Sequence, residues 1–140
     1  MRINRLFLVP LVLSAMLMEP CPCPAALPPD AIDTARQFAQ ECLIIEITKV
    51  AAKKSGQNGH QDLSYTAKVV KAERSSSSIQ AGDTITFTSY AIEPKAANDL
   101  DGPVPPPLLK AGWKGKVWLN RAQGGLTIAV HGHSFQEGGS

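Results

Sequence analysis

From Leu43 onward the chain alternates. In LIIEITKVA, Leu43, Ile45 and Ile47 fall on one side of the repeat and Ile44, Glu46 and Thr48 on the other. That two-residue period predicts a β-strand with one strongly apolar face. LSYTAKVV repeats the pattern, with Leu63, Tyr65, Ala67 and Val69 facing one way and Ser64, Thr66 and Lys68 the other. TITFTSY sets Ile85 and Phe87 against Thr84, Thr86 and Thr88. GKVWLN gives a shorter strand through Val117 and Leu119, and LTIAV another through Leu126, Ile128 and Val130. Ahead of the strands the period changes. Ile32, Ala35 and Ala39 share one helical face, with Phe38 beside them. Asp30 is the expected N-cap of that helix, with Asp33 at the capping-box spacing.

The connections are rich in turn residues. KKSGQNGHQD separates the first two strands, and ERSSSSIQAGD ends in a Gly-Asp turn before the third. The stretch from Ala91 to Gly112 has no clear period and contains GPVPPP, which cannot be a central strand because proline lacks the amide donor. It reads as a stiff crossover. The tail GHSFQEGGS reads as frayed. Five strands, each with one apolar face, satisfy those faces by closing into a small barrel. The expected fold class is therefore mainly β: a five-stranded OB-like barrel with a short N-terminal helix. A two-sheet sandwich, which usually needs seven strands, is the rival.

The N-terminus changes the picture of compartment. MRINR is basic, and Leu6 to Met18 is an apolar run broken by Pro10. The run is too short to span a bilayer and suits a signal peptide. We expect residues 1–25 to be that signal peptide and 26–140 to form a single barrel domain. Export makes the chain periplasmic or secreted, with no membrane span after processing. The formal net charge of +2 owes two of its positive charges to Arg2 and Arg5 in the leader. The mature chain is then near neutral, which argues against a nucleic-acid partner. Hydrophobic residues at 44% are enough for a core, and 19% charged residues argue against global disorder.

Candidate chemistry is sparse. His131 and His133 lie two apart at the end of the last strand, where they would share a face and both reach one Zn²⁺ or Cu²⁺. His60 and Asp62 are the further ligands such a site would need. Trp113 and Trp118 are read as covering a barrel end. Asp99 and Asp101 are read as turn residues. There is no Gly-rich phosphate loop, no nucleophile elbow and no paired carboxylates on one element, so the chain is expected not to be an enzyme and to need no cofactor.

The cysteines are Cys21, Cys23 and Cys42. The stretch CPCP, followed by FAQECLIIEITKV and LSYTAKVVKAERSSSSIQAGDTITFTSY, resembles the N-terminal domain of tissue inhibitors of metalloproteinases and their netrin-module relatives. The likeness runs roughly from Cys21 to Tyr90, with weaker echoes in LLKAGWKGKVWLN. It implies an OB-type barrel, a disulfide between Cys23 and Cys42, and, in an inhibitor, chelation of a protease's zinc by the backbone amino and carbonyl groups of Cys21. Pro20, Pro22 and the low cysteine number depart from the family's pattern. The expected function is therefore an exported, non-catalytic binding module with an extracytoplasmic protein as its partner. A metalloprotease inhibitor and a small periplasmic metal-binding protein are the alternatives.

Small residues at −3 and −1 favour cleavage after Ala25. N-terminal sequencing of the exported protein is expected to begin at Ala26. A chain beginning at Cys21 would favour the inhibitor instead.

Overall fold

The structure is a computed structural model, and it describes residues 27–54, 59–92 and 104–138. Helix α1 (Pro29–Phe38) precedes six strands: β1 (Glu41–Lys54), β2 (His60–Ser75), β3 (Thr84–Ile92), β4 (Lys114–Ala122), β5 (Gly125–Ile128) and β6 (Phe135–Glu137). A 3₁₀ turn, His131–His133, lies between the last two.

The ladders run β1-β2-β3-β5-β4, and β4 pairs back onto β1. That closes a five-stranded barrel. Every pairing in it is antiparallel except β3 with β5, so the barrel is mixed, small and OB-like, and the fold is mainly β as expected. The alternation predicted its inside. Leu43, Ile45, Ile47, Leu63, Tyr65, Ala67, Val69, Phe87, Val117 and Leu119 are buried in one cluster. Phe87 sits at its centre, 5.3 Å from the Tyr65 ring and 6.2 Å from Phe135. Thr84, Thr86 and Thr88 face outward.

β1 changes partners along its length. Glu41–Glu46 pair with Lys114–Leu119, whereas the strand pairs with β2 through to Lys54. A register shift between Ile47 and Lys49 leaves Thr48 as the extra residue of a bulge. Beyond it Val50 carries on the inward row. Bulges of this kind bend a strand and increase its twist, and here the bend lies where β1 leaves β4.

β5 and β6 are two parts of one partner to β4. Ile128 pairs with Leu119 and Phe135 with Val117. Between them Trp118 accepts a hydrogen bond from the Ala129 amide and donates one to the Ser134 carbonyl, each at 3.0 Å. Residues 130–133 are thus looped out of a single antiparallel edge. As far as it is described, the tail is not frayed. Phe135 packs on the core and meets Trp113 edge-on at 6.0 Å. The C-terminal apolar signal is one phenylalanine among polar residues, too weak for a periodicity argument.

Three further expectations are corrected. Asp30 is not the N-cap: Pro28 holds that position with no side-chain cap, and Pro29, whose φ is preset for a first helical turn, starts the helix. Asp30 lies in the first turn, where a carboxylate suits the positive end of the helix dipole. Phe38 is 79% exposed. Trp118 does not cover a barrel end; it lies on the outer wall with Ala39 and Cys42. The Gly-Asp turn is present, with Gly82 at φ +93°, a conformation that suits glycine.

Glu41 lies inside at one end of the barrel with no exposed surface. Its Oε1 accepts hydrogen bonds from the Ser77 hydroxyl and amide, at 2.5 and 3.0 Å, and from the Ser76 hydroxyl at 3.1 Å. Burial pushes its pKa up, but the bonds from Ser75, Ser77 and Ser76 outweigh that and leave it lowered. A lowered carboxylate stabilises the fold above its unfolded pKa, and that contribution is lost as pH falls through the folded value. Glu41→Gln is expected to cost about 1.5–3 kcal/mol near neutral pH, with the gap to wild type closing under acid. Chemical denaturation at several pH values checks this, and a gap independent of pH would refute it.

Candidate functional site

The register of β1, β2, β3 and β5 builds one continuous outer surface. Side chains alternate across a strand, so the partners of outward residues are also outward. Ala51, Ser64, Thr88 and Thr127 form one row across all four strands. Lys53, Asp62 and Tyr90 form the next. His60 begins the third, opposite Ile92. Over these rows lies an open cleft of about 660 Å³, lined also by Ala129 and His131. Ser89 borders it from the other side: it pairs with Leu63, is 8% exposed, and its hydroxyl has no partner among the described residues.

Three rings gather at one end of this cleft. His60 lies parallel on Tyr90, with centroids 5.1 Å apart and planes 15° apart. His131 meets Tyr90 edge-on at 5.9 Å. The Tyr90 hydroxyl and His131 Nδ1 are hydrogen-bonded at 2.9 Å. Burial pushes the Tyr90 pKa up, so at neutral pH its hydroxyl is a proton-bearing group in that bond.

His131 reaches Tyr90 because of the looped-out segment. The Ser134 hydroxyl accepts the Val130 amide at 2.6 Å, and the His133 amide donates to the Val130 carbonyl at 2.7 Å. These bonds tie the segment across its base. His131 has φ +22°, a positive value rare outside glycine. Backbone of that kind persists where neighbours over-determine it. Gly132 is one such neighbour. Its amide donates to the Val104 carbonyl at 3.0 Å, and a Cβ there would stand 2.6 Å from that oxygen and 2.9 Å from the Pro105 carbonyl. The proline-rich crossover therefore acts as a wall behind the turn. It is anchored in turn by Leu109, which is buried and donates its amide to the Tyr65 hydroxyl at 3.2 Å.

The two histidines named from the sequence are separated by this arrangement. They lie on a 3₁₀ turn and not on a strand, so the two-residue spacing no longer gives them a shared face. His131 turns to Tyr90, while the His133 carbonyl accepts the Arg36 guanidinium of α1 at 3.0 Å. His60 and Asp62 lie on β2 beside Tyr90 and line the same cleft as His131. Among the described residues no group of three or more His, Cys, Asp or Glu is placed to hold a metal ion.

Cys42 is buried on the outer wall and has no disulfide partner among the described residues. Its Sγ donates to Glu73 Oε2 at 3.5 Å, and Lys116 holds the same oxygen at 2.7 Å. Burial, and next the Glu73 carboxylate, push its thiol pKa up. Cys21 and Cys23, which carry the disulfide and chelation expectations, lie outside the described residues. Asp99 and Asp101 do as well.

The sequence reading named His60, Asp62 and His131 but passed over Tyr90, the residue that joins them. Its outward phase was readable from TITFTSY. Its partners were not, because they come from a register and from a loop at the far end of the chain. No protein-family model matches the chain, and no curated protein is a significant match to it. Among the described residues no helix is long and apolar enough to cross a membrane.

Gly132→Ala is expected to push the turn off Val104 and Pro105, at a cost of about 1–3 kcal/mol as an overpacked site, and to shift the ring resonances of His131 and Tyr90. A melting curve and NMR ring shifts identical to wild type would show that the wall does not set the turn.

Proposed function

We propose that the chain is an exported, non-catalytic binding module, and that its ligand-binding surface is the cleft over the outer face of β1, β2, β3 and β5. The observation that carries this reading is the His60–Tyr90–His131 cluster, placed in an open cleft by a backbone held at positive φ. Strained backbone of that sort gathers at ligand sites. The size of the cleft is in the range of small-ligand sites, and it combines apolar lining with a few convergent polar groups, the usual make-up of such sites. Barrels of this type commonly bind ligands across the face of their second and third strands, which is where this cleft lies.

Binding fits the chemistry better than catalysis does. Tyr90 and His131 are hydrogen-bonded to one another, which fixes the rings as a surface. Lys53 pairs with Asp62 across the ladder, leaving the face close to neutral. Export is supported by the basic start and short apolar run at the N-terminus, which would deliver the domain to the periplasm or the medium.

Two-dimensional amide NMR of the exported protein against a library of small aromatic and polar fragments tests the site. Fragment shifts are expected to cluster at Ser64, Thr88, Tyr90, Thr127 and His131, and Tyr90→Ala should weaken them about tenfold. Shifts gathered instead around Arg121 and Ser77, at the other end of the barrel, would refute the placement.

A further inference from the structure

The cleft binds, we infer, a short neutral oligosaccharide. The inference rests on the proposed binding face and adds the class of its ligand. A sugar ring offers an apolar C–H face and a rim of hydroxyls. It is held by flat rings on one side and by short hydroxyl, carboxylate and amine side chains on the other. The cleft supplies both in the right order. His60 and Tyr90 form a fixed parallel stack at one end. Next to it lie Asp62 and Lys53, an acceptor and a donor facing each other. Beyond them run the hydroxyls of Ser64, Thr88 and Thr127, side by side on three adjacent strands. Thr88 and Thr127 each reach a backbone carbonyl only at 3.4 Å, a weak bond that leaves their hydroxyls open to a better partner.

Charge excludes the main competitor. Nucleic acids and sulfated glycans are held by lysine and arginine along a backbone of anions. The described lining of this cleft has one lysine, opposite Asp62, and no arginine. Size favours a chain over a single sugar. From His60 to Ser64 along β2 is roughly 13 Å at the strand rise, longer than one ring. Small side chains at Ala51 and Ala129 keep the surface low, so a chain of sugars can pass over it.

The test is an amide NMR titration of the exported protein with short neutral oligomers of glucose, mannose, galactose, xylose and N-acetylglucosamine. A heparin-derived oligosaccharide, a thymidine oligonucleotide and a proline-rich peptide serve as competitors. At least one neutral oligomer is expected to shift Ser64, Thr88, Tyr90 and His131 saturably, with an affinity that does not change between low and high salt. His60→Ala should weaken binding about tenfold and Thr88→Val about threefold to tenfold, both without lowering the melting temperature. The inference is overturned if the small fragments bind the cleft while no neutral oligomer does, or if the heparin, oligonucleotide or peptide probe takes the site in preference. It is also overturned, together with the binding face itself, if neither fragments nor sugars shift these residues.

Discussion

Six residue pairs between Glu41–Glu46 and Lys114–Leu119 close the barrel. Without them β1 and β4 would be free edges, and Tyr65, Phe87 and the leucines around them would lie on an open sheet. The seam continues for one more step, where Ile47 donates to the Trp113 carbonyl and accepts from the Gly112 amide. There the bulge turns β1 away. Its remaining length pairs with β2 alone among the described strands, so the same strand that seals the core also widens the sheet on which the cleft lies. Core and cleft are therefore consequences of one bend, and a change that straightened β1 at Thr48 would disturb both.

The rest of the site hangs from β4 by its opposite edge. β5 and β6 occupy that edge in turn, and the six residues between them carry His131 towards Tyr90. Helix α1 is fastened to the same region by polar means. No residue of α1 is buried. Arg36 lies 4.4 Å from the centre of the Trp118 ring while its Nε donates to the His133 carbonyl. Arg74 donates to the Ala39 and Arg36 carbonyls at 3.0 and 2.7 Å. Cation–π contacts and charge-assisted hydrogen bonds of this kind are each modest. Together they hold a short helix that apolar burial alone would leave loose.

The barrel was legible from the sequence because its physics is periodic. Leu63, Tyr65, Ala67 and Val69 repeat every second residue, and a strand with that repeat has only one way to bury them. The site was legible in pieces. His60, Asp62 and His131 stood out as residue types, and Thr88 and Tyr90 could be placed on an outer face. What joined them is long-range: the pairing of β2 with β3, the parallel pairing of β3 with β5, and a loop whose shape depends on Gly132 meeting a proline-rich wall. None of these leaves a local pattern. The helix start turns on a local competition. Asp30 has the right side chain for an N-cap, but Pro29 before it begins the helix and puts the N-cap at Pro28, two residues earlier.

The split edge of β4 has a further consequence. Trp118 bonds to both ends of the looped-out segment, so the ladder resumes in the same register whatever lies between Ala129 and Ser134. Val130 and Ser134 are buried and Gly132 lies against the Val104 carbonyl, so those three positions are tied to the frame. His131 and His133 are not buried. Sequence drift at those two positions would change what stands over the Tyr90 face while the ladder on either side stays in place.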